Sequence, residues 1–206
     1  ILELMEDTAQ EERRRGNVPY LIHLATFSAP LAILGYYYAY KEILEQGGDF
    51  DHIFVACGSG GTYGGLLLGV MLNDGSSQVH GVSVMLPSET LKELVLAGLK
   101  GATKLLGREL PALFPQELDI RSDFVGTAYS QPPKASLQAV HLVARTEGIL
   151  LDPIYTGRSF AALLHTIQMG TIRSNERVLF VHTGGIPNLF AHASALQTLL
   201  KKGATS

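Results

Sequence analysis

The stretch FDHIFVACGSGGTYGGLLLGVML, Phe50 to Leu72, decides the fold. HIFVAC (His52 to Cys57) is short, continuously apolar and rich in β-branched residues, the pattern of a strand buried on both faces. CGSGGTYGG (Cys57 to Gly65) follows, with five glycines in nine residues, and a helix is expected from about Tyr63 to Leu72. Strand, glycine turn and helix in this order make one half of a βαβ unit.

The same alternation extends outward. VHGVSVML (Val79 to Leu86) reads as a second strand, and Ser88-Glu89-Thr90 starts a helix that runs to about Leu106. Gly107 to Gln131 is irregular and rich in Pro and Gly. A helix over Lys134 to Glu147 is closed by Gly148, ILLDP (Ile149 to Pro153) is short and apolar, and Ser159 to Met169 is helical. RVLFVHTGG (Arg177 to Gly185) is another buried strand entering a glycine turn, with a last helix to about Lys202. Upstream, Ile1 to Arg15 forms a polar helix stopped by Gly16-Asn17 and Pro19, and Pro30 to Gln46 forms a second, ended by Gly47-Gly48. The fold class is therefore α/β, a parallel sheet covered by helices on both faces. Ligands of such sheets bind beyond the carboxyl ends of the strands, where both CGSGG and HTGG lie.

Composition removes whole classes of function. With 46% hydrophobic and 17% charged residues, the 206-residue chain can bury a sizeable core, which excludes disorder. A net charge of −3, with no Lys/Arg run longer than Arg13-Arg14-Arg15, argues against a nucleic-acid footprint. One cysteine permits no internal disulfide, and a cytoplasmic location is expected. No run of eighteen apolar residues predicts a membrane span, and no leader peptide is expected at the charged EDTAQEERRRG. The seven histidines are scattered, and His182 and His192 lack a partner at ligand spacing, so no metal site is expected. The first residue is Ile, so a further segment upstream is expected.

A glycine loop between a buried strand and a helix offers backbone N–H groups and the positive end of a helix dipole, which together form an anion cup. Ser59 and Thr62 add hydroxyl donors. A Walker A loop requires Lys-Ser/Thr after its last glycine, and no Lys is present. The dinucleotide pattern G-x-G-x-x-G fits at Gly58 and Gly60 but meets Tyr63 at its third glycine, and the next strand ends in Val84-Met85-Leu86-Pro87, without the ribose-binding acid. A phosphate cup for a smaller cofactor and a turn without any ligand both stay open on these residues.

Three segments in order, FDHIFVACGSGGTYGGL, EGILLDPIYTGRSFAALL and RVLFVHTGGIPNLF, resemble the pyridoxal-phosphate enzymes of the D-cysteine desulfhydrase and 1-aminocyclopropane-1-carboxylate deaminase family. The resemblance runs from about Ile22 to the C-terminus and implies the tryptophan synthase β-like fold (fold type II), here truncated. It implies two parts: residues 1–46, the end of a small domain and a connecting helix, and residues 47–206, the large domain that binds the cofactor phosphate. By the resemblance, Cys57, Gly58, Ser59, Gly60, Gly61 and Thr62 bind the phosphate of pyridoxal 5'-phosphate, and Thr183, followed by Gly184, faces the pyridine nitrogen. A hydroxyl there leaves the ring a weaker electron sink than a carboxylate would, which suits eliminations. Tyr155, in DPIYTG, and Tyr129, in AYSQPP, are the implied catalytic tyrosines, for acid/base or orienting work. Cys57 then needs no thiol chemistry.

The implied activity is β-elimination from a thiol amino acid, giving sulfide, pyruvate and ammonia. The alternatives are deamination of 1-aminocyclopropane-1-carboxylate and a non-catalytic, degenerate relative. Thr156 leans toward thiol elimination, because ring-opening members tend to carry Glu after the tyrosine. The implied partners are a small amino-acid substrate and a second copy of the chain. Two departures stand out. The family's Schiff-base lysine sits early, in a G-x-N-K-type motif, and none of Lys41, Lys92, Lys100, Lys104, Lys134, Lys201 and Lys202 matches it; each reads as a solvated surface residue. The family's P-x-G-G-S turn is replaced by a stretch in which Ser28 aligns with the serine and Ala25-Thr26 stand near the paired glycines.

Overall fold

The computed structural model describes residues 2–22 and 29–203. The expected departure at Ala25, Thr26 and Ser28 lies outside the described residues. Four parallel strands form one sheet: β1 (His52–Cys57), β2 (Gln78–Ser83), β3 (Ile120–Arg121) and β4 (Val178–Val181), in the order β3-β2-β1-β4. The chain moves outward from β1 to β2 and β3 on one side, while β4 lies on the other. The crevice beyond β1 and β4 is thus the topological switch point, where open α/β sheets bind ligands.

Helices cover both faces. On one face α2 (Ala29–Gly47), α3 (Gly61–Leu72) and α4 (Ser88–Leu105) pack together, and on the other α5 (Lys134–Glu147) and α6 (Thr156–Gln168) do so. Helix α1 (Leu2–Arg14) precedes them, and α7 (Asn188–Ala191) and α8 (Ala193–Gly203) end the described chain. Ile33, Tyr37 and Tyr40 of α2 join Ile53, Val55 and Leu66 in a single core. That contact depends on small residues. A methyl group added at Gly65 would lie 2.4 Å from Tyr36 Cβ and 2.5 Å from the Ile33 carbonyl oxygen, and one at Gly69 2.5 Å from Tyr40 Cβ. Gly61, Gly65 and Gly69 recur every fourth residue and so share one face of α3, against which the backbone of α2 lies. Gly64 and Gly65 lie within α3, as the helix expected from about Tyr63 requires, and serve helix packing.

Several boundaries differ from expectation. Helix α3 begins at Gly61 rather than Tyr63, and α6 at Thr156 rather than Ser159. Strand β2 ends at Ser83, because Ser83 Oγ donates to the Leu86 carbonyl (2.6 Å) and accepts the Met85 N–H (3.2 Å), turning the chain out of the sheet. The irregular stretch contains β3, whose two residues are too few to show a period. Strand β4 is half-buried rather than buried, since among the described strands only β1 pairs with it. Lys92 is not fully solvated: its side chain is 15% exposed and pairs with Glu89 at 3.1 Å.

At the amino ends of the strands, far from the glycine turns, His52 Nδ1 meets His80 Nε2 at 2.9 Å and His52 Nε2 meets Glu176 Oε2 at 3.3 Å. His80 Nδ1 bonds Asp119 in turn, so four side chains in or just before the four strands are linked. Among the described residues no cluster of His, Cys, Asp and Glu is arranged to hold a metal ion, and no helix is long and apolar enough to cross a membrane.

Candidate cofactor site

The cup is built where β1 stops. Gly60 adopts φ 90°, a left-handed conformation costly for any residue with a side chain, and a methyl group there would lie 2.7 Å from Val95 Cγ2. This sharp turn lets α3 begin at once. The N–H groups of Gly61, Thr62 and Tyr63 then have no helical carbonyl to bind and stand at the positive end of the helix dipole. A cavity of about 150 Å³ opens on this turn, lined by Ala56, the six residues Cys57 to Thr62, and Tyr155. These residues fit a phosphate group: backbone donors converge, hydroxyls of Ser59 and Thr62 stand by, and no carboxylate lines the wall. Cys57 contributes a wall rather than a reagent. Its side chain is buried, and burial pushes its thiol up to about 12, with the Gly60 N–H opposing the rise.

Tyr155 closes the cavity from the other face of the sheet. Its Cε1 lies 3.6 Å from where a methyl group on Gly58 would sit. What holds it there is Asp152, fully buried at the start of α6. Asp152 Oδ2 accepts the N–H groups of Ile154 and Tyr155, both at 2.9 Å, and Oδ1 accepts the N–H and hydroxyl of Thr156, both at 2.8 Å. The N–H groups at the start of α6, and that of Ile154 just before it, are thus met by one carboxylate, which the helix dipole also favours. Thr156 is buried, and its hydroxyl is spent on Asp152 rather than aimed at the cavity.

Tyr129 reaches the site from the turn at residues 128–131. Its hydroxyl lies 2.6 Å from that of Tyr155, with the rings nearly perpendicular at 82°. Burial, then the hydrogen bond that the Tyr155 proton makes to Tyr129, pushes the Tyr155 phenol up to about 12. At neutral pH Tyr155 therefore holds its proton, which suits a donor or an orienting group better than a base.

Thr183 and Gly184 follow β4 and stand at the neighbouring strand end, but they do not line the cavity. Thr183 is exposed, and the Gly184 N–H donates to His182 Nδ1 at 3.0 Å. The next residues tie this turn to Tyr155: a methyl group on Gly185 would lie 2.5 Å from Asp152 Oδ1, and Asn188 Nδ2 donates to Asp152 Oδ2 at 3.2 Å. The structure thus gathers Cys57 to Thr62 and Tyr155 around one cavity, adds Tyr129 through its hydroxyl, and links the HTGG turn through Asp152. Asp152 escaped the sequence reading because the helix was expected to start at Ser159, too far downstream for an Asp cap. None of the described lysines lines the cavity.

The family model described as "Pyridoxal-phosphate dependent enzyme" matches residues 3–184. The chain belongs to this pyridoxal-phosphate-dependent family. It is 30% identical to a Schizosaccharomyces pombe protein named "Probable 1-aminocyclopropane-1-carboxylate deaminase", over 92% of this chain and 57% of that protein. A Pyrococcus abyssi protein whose name proposes the same activity is 33% identical over 97% of this chain and 60% of its own length. Among solved structures, one titled "Crystal Structure Analysis of the ACC deaminase homologue" superposes with a TM-score of 0.85 at 33% identity, covering 96% of this chain and 59% of that one. The chain spans less than two thirds of the length of each of these relatives. The parallel α/β architecture of fold type II and the pyridoxal-phosphate cofactor are those of the family.

Proposed function

We propose that this chain is the cofactor-phosphate-binding part of a lyase of the D-cysteine desulfhydrase type, acting by β-elimination on a small thiol amino acid. The observation that carries this is the shared cavity, in which a donor-rich glycine turn faces a tyrosine that keeps its proton. When bound, pyridoxal phosphate supplies an electron sink for bond breaking next to the substrate α-carbon. The chain's residues then divide the remaining work. The turn from Gly58 to Thr62 anchors the phosphate, Tyr155 and Tyr129 orient the substrate and hold a proton at the phenol oxygen, and Thr183 offers the ring nitrogen a hydroxyl rather than a carboxylate. The working form is a homodimer, which light scattering tests.

Ring opening of 1-aminocyclopropane-1-carboxylate is the second reading, favoured by the names of the relatives. Thr156, which leaned toward thiol elimination, separates the two by identity only, because its side chain supports α6. The test has two parts. Titration of the chain with pyridoxal phosphate, followed by absorbance, gives saturable binding that Gly60→Ala abolishes. The encoded polypeptide containing this span is then assayed with D-cysteine for sulfide and with the cyclopropane amino acid for ammonia. Sulfide release supports the first reading, and ammonia from the cyclopropane substrate alone supports the second. No binding and no product sinks both.

A further inference from the structure

One fully buried cation is left over from the roles above. Arg158 lies on the first turn of α6, three residues after Tyr155, and none of its surface is exposed. Its hydrogen bonds all go to main-chain carbonyls. Nη1 donates to Val84, and Nη2 is shared among Ala128 (3.2 Å), Tyr129 (3.0 Å) and Gln131 (3.3 Å), while Nε has no partner. Burying a guanidinium without a bonded carboxylate is costly, and burial pulls this one down from its ordinary value. Such a group is retained where its forked donors fix something that nothing else fixes.

What they fix is the turn carrying Tyr129. Residues 122–133 contain no strand or helix, and one bridge between Ala128 and Gln131 is the turn's own ladder. Three carbonyls of that turn point at one nitrogen of Arg158. The other nitrogen holds Val84, whose Cγ2 lies 3.7 Å from where a methyl group on Gly58 would sit. One guanidinium thus joins the Tyr129 turn, the end of the second strand segment beside the cup, and the helix turn that carries Tyr155.

We propose that Arg158 is a positioning residue: by gripping the carbonyls at 128, 129 and 131 it places the Tyr129 hydroxyl on Tyr155 at the mouth of the cup. The proposal rests on the reading that this cavity is the working site. Lysine keeps the charge but cannot fork across two segments, whereas methionine removes both charge and donors.

The experiment compares the wild-type chain with Arg158→Lys, Arg158→Met, Tyr129→Phe and the Arg158→Lys/Tyr129→Phe double variant. Hydrogen–deuterium exchange across residues 127–132 is expected to rise ~10-fold or more in Arg158→Lys, the loss of about one charge-assisted hydrogen bond, with β1 and α3 unchanged. Pyridoxal phosphate is expected to bind ~10-fold more weakly to Arg158→Lys and to Tyr129→Phe, and no more weakly to the double variant, while inorganic phosphate binds each as it binds wild type. Exchange that stays at the wild-type rate in both Arg158 variants, or rises equally in the core, overturns the proposal, as does additivity in the double variant. If neither phosphate nor the cofactor binds the wild type, the functional reading fails, and the exchange measurement alone then decides the role of Arg158.

Discussion

Replacing Asp152 by Ala removes the group on which three elements converge. The carboxylate accepts the N–H groups of Ile154, Tyr155 and Thr156, which lead into α6, the Thr156 hydroxyl and the Asn188 amide, all within 3.2 Å. Asp152 and Thr156 are fully buried, so water replaces little of what is lost. Hydrogen bonds to a charged group are worth about 1.5–3 kcal/mol each but are not additive here, because they share one acceptor, and a net loss of roughly 3–5 kcal/mol is expected. With a urea slope of about 2 kcal/mol/M, the unfolding midpoint moves down by roughly 1.5–2.5 M. Asp152→Asn keeps one acceptor oxygen but turns an NH2 toward donors on the other side, so about half that loss is expected. Urea unfolding followed by far-UV circular dichroism measures both. An Ala variant within about 1 kcal/mol of wild type would refute the view that Asp152 organises this end of the sheet.

Glycine substitutions on the packed pair of helices are expected to have opposite signs. Gly65→Ala forces a methyl into the backbone of α2 and lowers stability by about 1–3 kcal/mol, roughly 3–10 °C in Tm. Gly35→Ala, on the exposed side of α2 with open space around it, raises stability by about 0.5–1 kcal/mol; equal effects at the two positions would refute the close approach. Because burial raises the Cys57 thiol to about 12, iodoacetamide at pH 8 is expected to label the native chain far more slowly than the urea-unfolded chain, as mass spectrometry checks. Glu176 is held at about 2, mainly by the Arg173 N–H and then by its guanidinium, below its ordinary 4.5. A folded value below the unfolded one means stability that is present above pH 4.5 and lost as pH falls toward 2, so thermal melts of Glu176→Gln are expected to show a flatter acid limb than wild type.

Much of this protein was legible because its signals are local. Continuous apolar runs at HIFVAC and RVLFV mark strands, and glycine turns mark where they end, since a parallel sheet covered on both faces leaves no polar alternation to confuse them. The glycine turn from Cys57 to Thr62, which lines a cavity with Tyr155, was likewise marked by a motif. Other features have no local signature. The two-residue β3 exists only because β2 pairs with it, and β2 stops early because Ser83 bonds Leu86. Nothing in the order of residues says that α2 lies against Gly65.

The sequence by itself determined the alternation of strands and helices, the glycine turn after β1 and the kind of cofactor, because each depends on residues adjacent in the chain or on motifs in a fixed order. Tertiary structure alone decided the rest. Asp152 holds Tyr155 and abuts the HTGG turn, Arg158 grips the turn of Tyr129, and Thr156 faces its own helix start rather than the cavity. These roles join residues as many as 36 positions apart. Only packing brings such groups within the roughly 3 Å that a hydrogen bond requires, and no pattern along the chain records that distance.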